Sequence, residues 1–248
     1  MTNIKIDNIN LVSEISLNPN DPLSSDLSGV KVLVMIPCYG SMPTETVESL
    51  IKLQEWALSS NIGRFQIMIE SGNAMITHAR NRLAGGDNSH GADQKPWEDF
   101  THFFSIDSDI IFDPWHFAKL LTSSHAITSG VYYGKNQHKL PVAYSWDEEF
   151  FKQHNAMPTI DPAQSTSGGI MFVDLVGMGF CVIKRKVFEK LQYPWFTTEQ
   201  FTIGDVTDLL SEDTSFCRRA TEAGFSLVLD TSVRLGHVGK HIYHRNDE

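Results

Sequence analysis

Thr101-His102-Phe103-Phe104-Ser105-Ile106-Asp107-Ser108-Asp109-Ile110-Ile111-Phe112 is the stretch whose reading decides the fold. Residues 101–106 are rich in aromatic and apolar side chains, as in a strand buried on both faces. Two carboxylates, Asp107 and Asp109, stand one residue apart where that strand should end. Burying an unpaired carboxylate costs several kcal/mol, so acids at such a place need a cation or a set of donors. In open α/β sheets, ligands lie at the carboxyl ends of the strands. A divalent metal holding a diphosphate meets both requirements. Asp and Ser are also ordinary turn formers. Taken alone, the triplet reads as a strand-end turn.

The surrounding order of elements changes that reading. Residues 30–37 form an apolar strand ended by Pro37. Pro43 suits a first helical turn, and Val47, Leu50, Ile51, Leu53, Ala57 and Leu58 then recur at helical spacing. A second strand is expected over 65–70, and a helix over 74–84 stopped by Gly85-Gly86. The polar stretch 87–98 reads as a loop. Asp113-Pro114 starts a helix over 115–123, followed by a strand over 126–133. Such alternation implies right-handed crossovers and a largely parallel sheet. Residues 134–169 read as irregular, 171–176 and 180–183 as strands around Gly177-Met178-Gly179, and 184–191 as a short helix. Residues 193–210 read as a loop, 211–224 as a helix capped by Ser211, and 226–229 as the last strand. Residues 1–29 read as an irregular N-terminal arm.

Six features in this order carry a family resemblance: the strand ended by Pro37-Cys38-Tyr39, Ala79-Arg80-Asn81-Arg82, Asp107-Ser108-Asp109, Gly177-Met178-Gly179 with the apolar run after it, Ser211-Glu212-Asp213, and the late Leu235-Gly236-His237. Together they resemble the GT-A glycosyltransferases, and among them glycosyltransferase family 2 and its bacterial and viral relatives. The resemblance covers about 30–241. It implies an α/β fold: one Rossmann-like GT-A domain over 30–248, with a central mixed, mostly parallel sheet flanked by helices. The nucleotide-binding half would span about 30–133 and the acceptor-side half about 134–248.

The resemblance also implies a division of labour. Asp107, Asp109 and His237 would hold Mn²⁺ or Mg²⁺, hard cations suited to oxygen ligands and phosphate. Pro37, Tyr39, Glu70 and Arg80 would form the base site of a nucleoside-diphosphate sugar, with a UDP-sugar favoured. Tyr39 would stack on the base, and Arg80 would offer a planar fork. Ser108, Gly179 and Lys240 would lie against the sugar or diphosphate. Asp213 would serve as general base, with Glu212 beside it. In the first turn of an α-helix both acids also complement the helix dipole. Helical spacing to Phe216, Cys217 and Ala220 puts Asp213 on the core-facing side, and Glu212 nearer the flank. Trp195, Phe196, Tyr132 and Tyr133 are candidates to line sugar pockets.

Composition narrows the partners. A chain of 248 residues with 41% hydrophobic and 20% charged residues can bury a large core. A formal net charge of −10 argues against broad affinity for nucleic acid or anionic lipid. Cys38, Cys181 and Cys217 are odd in number and far apart, which indicates neither a disulfide framework nor a zinc knuckle. No signal peptide is evident at the N-terminus, and no run of about 20 apolar residues could span a bilayer. The expectation is a cytoplasmic protein, host cytoplasm if viral, without stable membrane insertion and free to form a homo-oligomer. The acceptor could be a glycan, a lipid-linked sugar, a protein hydroxyl or a modified DNA base. A retaining transferase, a sugar nucleotidyltransferase and a non-catalytic nucleotide- or glycan-binding protein stay open as alternatives. No G-x-G-x-x-G follows the first strand, so a dinucleotide site is disfavoured.

Overall fold

The computed structural model describes residues 21–85, 95–135, 140–165 and 169–239. The first half alternates as the sequence predicts: β1 Lys31–Cys38, α1 Thr44–Ser59, β2 Arg64–Ser71, α2 Ile76–Gly85, β3 His102–Ile106, β4 Ile110–Ile111, α3 Pro114–Leu121 and β5 Ile127–Val131. The second half holds β6 Ala143–Tyr144, α4 Glu148–His154, β7 Ile170–Val173, β8 Leu175–Val176, β9 Phe180–Lys184 and α5 Arg185–Lys190. It ends with β10 Glu199–Ile203, β11 Val206–Leu210, α6 Glu212–Glu222, β12 Leu227–Arg234 and β13 Gly236–His237.

Seven strands form the central sheet in the order β2-β1-β3-β9-β5-β12-β7. β1 pairs parallel with β2 and β3, and β5 pairs parallel with β12. β9 enters antiparallel between β3 and β5, and β7 closes the far edge antiparallel to β12. The sheet is mixed and largely parallel. Its central strands β1, β3 and β9 are near-continuous apolar runs because both faces are covered there, whereas the edge strands β2 and β7 are only partly buried. On one face Leu33, Met35 and Phe103 pack with Phe188, Trp195 and Phe216. On the other, Val32, Val34, Ile36 and Phe104 pack with Leu53, Phe117 and Phe180. Successive residues of β1 feed alternate layers, as a pleated strand requires.

Two segments depart from expectation. The stretch 134–169 contains α4, started by Asp147, whose carboxylate accepts from Phe150 N at 2.9 Å. A helix of seven residues with only Phe151 buried is too short to show a periodic stripe. The stretch 193–210 contains the hairpin β10–β11, turned at Gly204 with φ 60°. Its strands are short and mostly exposed, apolar Val206 and Leu209 included, so burial set no clear alternation in them. Trp195 and Phe196 are core residues and line no sugar pocket. The loop over 87–98 falls largely outside the described residues.

Candidate functional site

The carboxyl ends of β1 and β3, the start of α6 and the β4–β13 pair border one cleft of about 570 Å³. Pro37, Tyr39, Arg80, Asp107, Ser108, Asp109, Glu212, Asp213 and His237 all line it. β3 stops at Ile106 and the chain turns, with Ile110 N donating to Asp107 O at 3.2 Å. Asp107 N donates to Gly179 O at 2.9 Å, which anchors this turn to the loop before β9. β13 pairs antiparallel with β4, placing His237 opposite Ile110, and Val238 N donates to Asp109 O at 2.9 Å. That small ladder carries His237 to Asp109 across more than a hundred residues of sequence.

Arg80 is the hub of the deep end. It lies on the buried side of α2 and is 4% exposed. Its guanidinium donates to Ser105 Oγ at 2.6 Å, Asp107 Oδ1 at 2.9 Å and Glu212 Oε1 at 3.4 Å. Burial works against its charge, but Asp107, Glu212 and Asp213 outweigh burial and hold its pKa above the ordinary value. The fork is spent on protein groups in this structure: Ser105, Asp107 and Glu212 take its donors. The expectation for Glu212 is corrected. Its side chain is not on the flank but points inward, mostly buried against Arg80. Burial and the neighbouring Asp213 raise its pKa, against the lowering pull of Arg80.

Asp213 sits one residue further along the first turn of α6. Its Oδ1 accepts from Ser211 Oγ and from Thr214 N, the latter at 2.8 Å. The Ser211 hydroxyl thus serves Asp213 and makes no cap bond to the helix backbone.

At the mouth, Asp109 is shared. Lys135 Nζ pairs with its Oδ2, and His237 Nε2 lies 3.2 Å from its Oδ1. His237 Nδ1 lies 2.8 Å from Tyr133 O. A carbonyl only accepts, so Nδ1 carries the proton there. Nε2 then faces a carboxylate oxygen and needs a second proton or a cation between the two. Burial pulls the His237 pKa down, but the hydrogen bonds to Asp109 and Tyr133 raise it overall. Burial pulls Asp109 up, and the contacts from His237 and Lys135 bring it below the usual value. This donor set, one carboxylate and one imidazole fixed through its far nitrogen, suits a divalent metal. Asp107 turns its Oδ1 to Arg80, and no group of three acidic, His or Cys side chains is gathered for a metal among the described residues.

The remaining candidates fall at different depths. Tyr39 is 70% exposed beside the cleft and covers no core. Glu70 does not line the cleft. It binds Asn73 Nδ2 at 3.2 Å and Arg82 Nη1 at 3.5 Å, and acts one layer back through Asn73, which does line it. Gly177 and Gly179 make room for protein rather than ligand. A Cβ on Gly177 would lie 2.0 Å from Tyr132 Oη, and one on Gly179 would lie 2.8 Å from the same ring and 3.1 Å from Asp107 Oδ2. The buried Tyr132 hydroxyl accepts from Gly179 N at 3.0 Å, and its ring meets His237 edge-on. Lys240 lies outside the described residues. Lys135 escaped the sequence reading, although Gly134-Lys135 ends an apolar strand just as Asp107 does.

The chain has the GT-A fold. Among solved structures it is similar to A197 from STIV, with 18% identity over 85% of this chain and 86% of that one, at a TM-score of 0.53. It is also similar to GalNAc-T7, solved with UDP, GalNAc and Mn²⁺, with 12% identity over 85% of this chain and a TM-score of 0.51. The match spans 44% of the GalNAc-T7 chain. No family model and no curated protein matches the sequence. Among the described residues no helix is long and apolar enough to cross a membrane.

Proposed function

We propose that this protein is a metal-dependent glycosyltransferase. It moves a sugar from a nucleoside-diphosphate sugar, with UDP as the favoured carrier, to a hydroxyl acceptor with inversion. One observation carries the reading: two charge clusters line one cleft at the strand ends. Asp109, His237 and Lys135 stand at the mouth, and Arg80, Glu212 and Asp107 stand at the depth, with Asp213 beside them.

Asp109 and His237 are the residues that would hold Mn²⁺ or Mg²⁺, with Asp107 as the candidate third ligand. The bound metal supplies counter-charge to the departing diphosphate. Tyr39 offers a ring for the base, Asn73 and Glu70 support that end, and Lys135 offers a cation to phosphate. Pro37 and Ser108 line the cleft beside them, Gly179 is a further candidate to lie against the sugar or diphosphate, and Lys240 is a further candidate for phosphate. Arg80 keeps Asp107 and Glu212 in place. Asp213 takes the proton of the acceptor hydroxyl as the sugar carbon is attacked from the opposite face. The acceptor classes are a glycan, a lipid-linked sugar, a protein hydroxyl or a hydroxylated base, in a cytoplasmic setting.

The test is donor hydrolysis across nucleotide sugars with Mn²⁺, together with thermal shifts by free nucleoside diphosphates. UDP should raise the melting temperature by mass action, and more so with Mn²⁺. Full turnover in EDTA, or protection by ADP or GDP but not UDP, overturns the corresponding assignment.

A further inference from the structure

β2 is an outer strand of the seven-stranded sheet, and its charged residues, Arg64 and Glu70, stand only towards its two ends. Natural sheets blunt such edges with proline, bulges or lysine. Arg64-Phe65-Gln66-Ile67-Met68-Ile69-Glu70-Ser71 has no proline and no lysine, and it pairs with β1 without a register break. Among the described residues no strand pairs with its outer side.

Beside this edge runs an apolar stripe that is exposed among the described residues. Val47, Ile51 and Leu58 of α1 lie on one flank of the helix at about 3.6 residues per turn. Ile51 is 54% exposed and Leu58 78%. The opposite flank of α1 is occupied: Lys52 pairs with Asp113 at 3.8 Å and Trp56 meets Phe117 of α3 edge-on. α3 packs over β5, β9 and β12, towards the middle of the sheet. The exposed stripe therefore faces outward, past β2. Phe65 and Ile67 share the sheet face that α1 covers, and Ile69, 49% exposed, follows them by strand alternation.

We infer that the occupant of this edge is a second copy of the chain, joined β2 to β2 about a two-fold axis at Ile67. The sequence of the strand is self-complementary in that arrangement. Antiparallel pairing centred on Ile67 sets Arg64 against Glu70 of the second copy, Phe65 against Ile69, and Gln66 against Met68. Arg64 already binds Asp99 at 2.8 Å, and Glu70 lies 3.5 Å from Arg82. The dimer would link these pairs into rows of alternating charge at each end of an apolar centre, where opposite charges across strands are favourable. A parallel or shifted register loses this match. The two α1 helices would then lie antiparallel on the same face of one continuous sheet. With strands about 4.8 Å apart, helices over β1 and β2 in each copy come within reach of direct packing. Each stripe then covers the other, so edge and helix are satisfied by the same axis.

Sedimentation velocity on the full chain should show a dimer, with the outward-facing amides of β2 protected from hydrogen exchange in a concentration-dependent way. Ile51→Glu and Leu58→Glu sit at exposed helix positions and should leave the fold intact by circular dichroism. Each should weaken dimerisation by at least about tenfold, an increment of 1.4 kcal/mol. Ile69→Lys should do the same from the strand side, while Leu209→Glu, on the distant hairpin, should leave the dimer unchanged. A wild-type chain that stays monomeric overturns the proposal, including one that binds only a different protein through this face. A dimer that survives Ile51→Glu and Ile69→Lys, or that leaves the β2 amides unprotected, overturns the assigned surface.

Discussion

Arg80 Nη2 lies 2.9 Å from Asp107 Oδ1, and this pair of a buried guanidinium and a partly exposed carboxylate joins α2 to the end of β3 in the cleft. The same guanidinium reaches Glu212 at the start of α6. Three elements distant in sequence thus share one cation.

Removing that cation should be costly. Arg80→Ala leaves Asp107 and Glu212 close to each other without their counter-charge. Breaking a buried pair costs about 3–5 kcal/mol, and the lower figure applies because the Asp107 side chain is 33% exposed. Urea denaturation should show the loss as a lower midpoint. Arg80→Lys should recover only part of it, because an ammonium cannot reach three acceptors in fixed directions. An unchanged midpoint would show that the hub does not hold these elements together.

Asp213 and Glu212 should separate by assay. Asp213→Asn should cut turnover by roughly 10²–10⁴-fold, the range for a lost acid–base group. Its melting temperature and its UDP affinity should change little. Glu212→Gln should behave oppositely, lowering the melting temperature because it removes a charged partner of buried Arg80. NMR of the product should show an inverted anomer. Near-normal turnover of Asp213→Asn would move proton removal to another group.

Gly179→Ala tests the packing beneath the turn at Asp107. The added methyl would lie 2.8 Å from the Tyr132 ring and 3.1 Å from Asp107 Oδ2. Overpacking of this kind costs about 1–3 kcal/mol. Thermal melts should register it, and Tyr132→Phe combined with Gly179→Ala should not restore stability, since the ring itself is in the way. A melting temperature equal to wild type would mean the loop shifts freely.

His102 sets an acid limit on the fold. Burial, with a smaller contribution from Lys184, lowers its pKa from 6.5 to about 4. The folded state thus keeps the ring neutral while the unfolded chain takes up a proton. Stability is fully present above 6.5 and is lost as the pH falls from there towards about 4. His102→Gln should flatten the fall in melting temperature across that window. An equal pH slope in both proteins would assign the acid sensitivity to other groups.

The sequence by itself determined the parts that depend on local pattern. Apolar strands followed by helical stripes are legible because burial on both faces requires continuous apolar runs and burial on one helix flank requires a period near 3.6. Asp107 and Asp109 were legible because charge at the end of such a run is costly unless it is used. The short helix α4 and the hairpin β10–β11 were not, since elements this short and this exposed give no sustained period to read.

Only the tertiary structure decided what each charge touches. Helical spacing put Asp213 on the core side and Glu212 on the flank, yet Glu212 turns inward because a buried guanidinium from α2 waits there. Spacing likewise gave Arg80 no partner, and the fold gives it Ser105, Asp107 and Glu212 at once. His237 meets Asp109 only through the β4–β13 ladder, and Gly179 is small because Tyr132, from another strand, lies over it. Electrostatic and steric contacts act over a few ångströms in space whatever the separation along the chain, so they are fixed only when the sheet order is fixed.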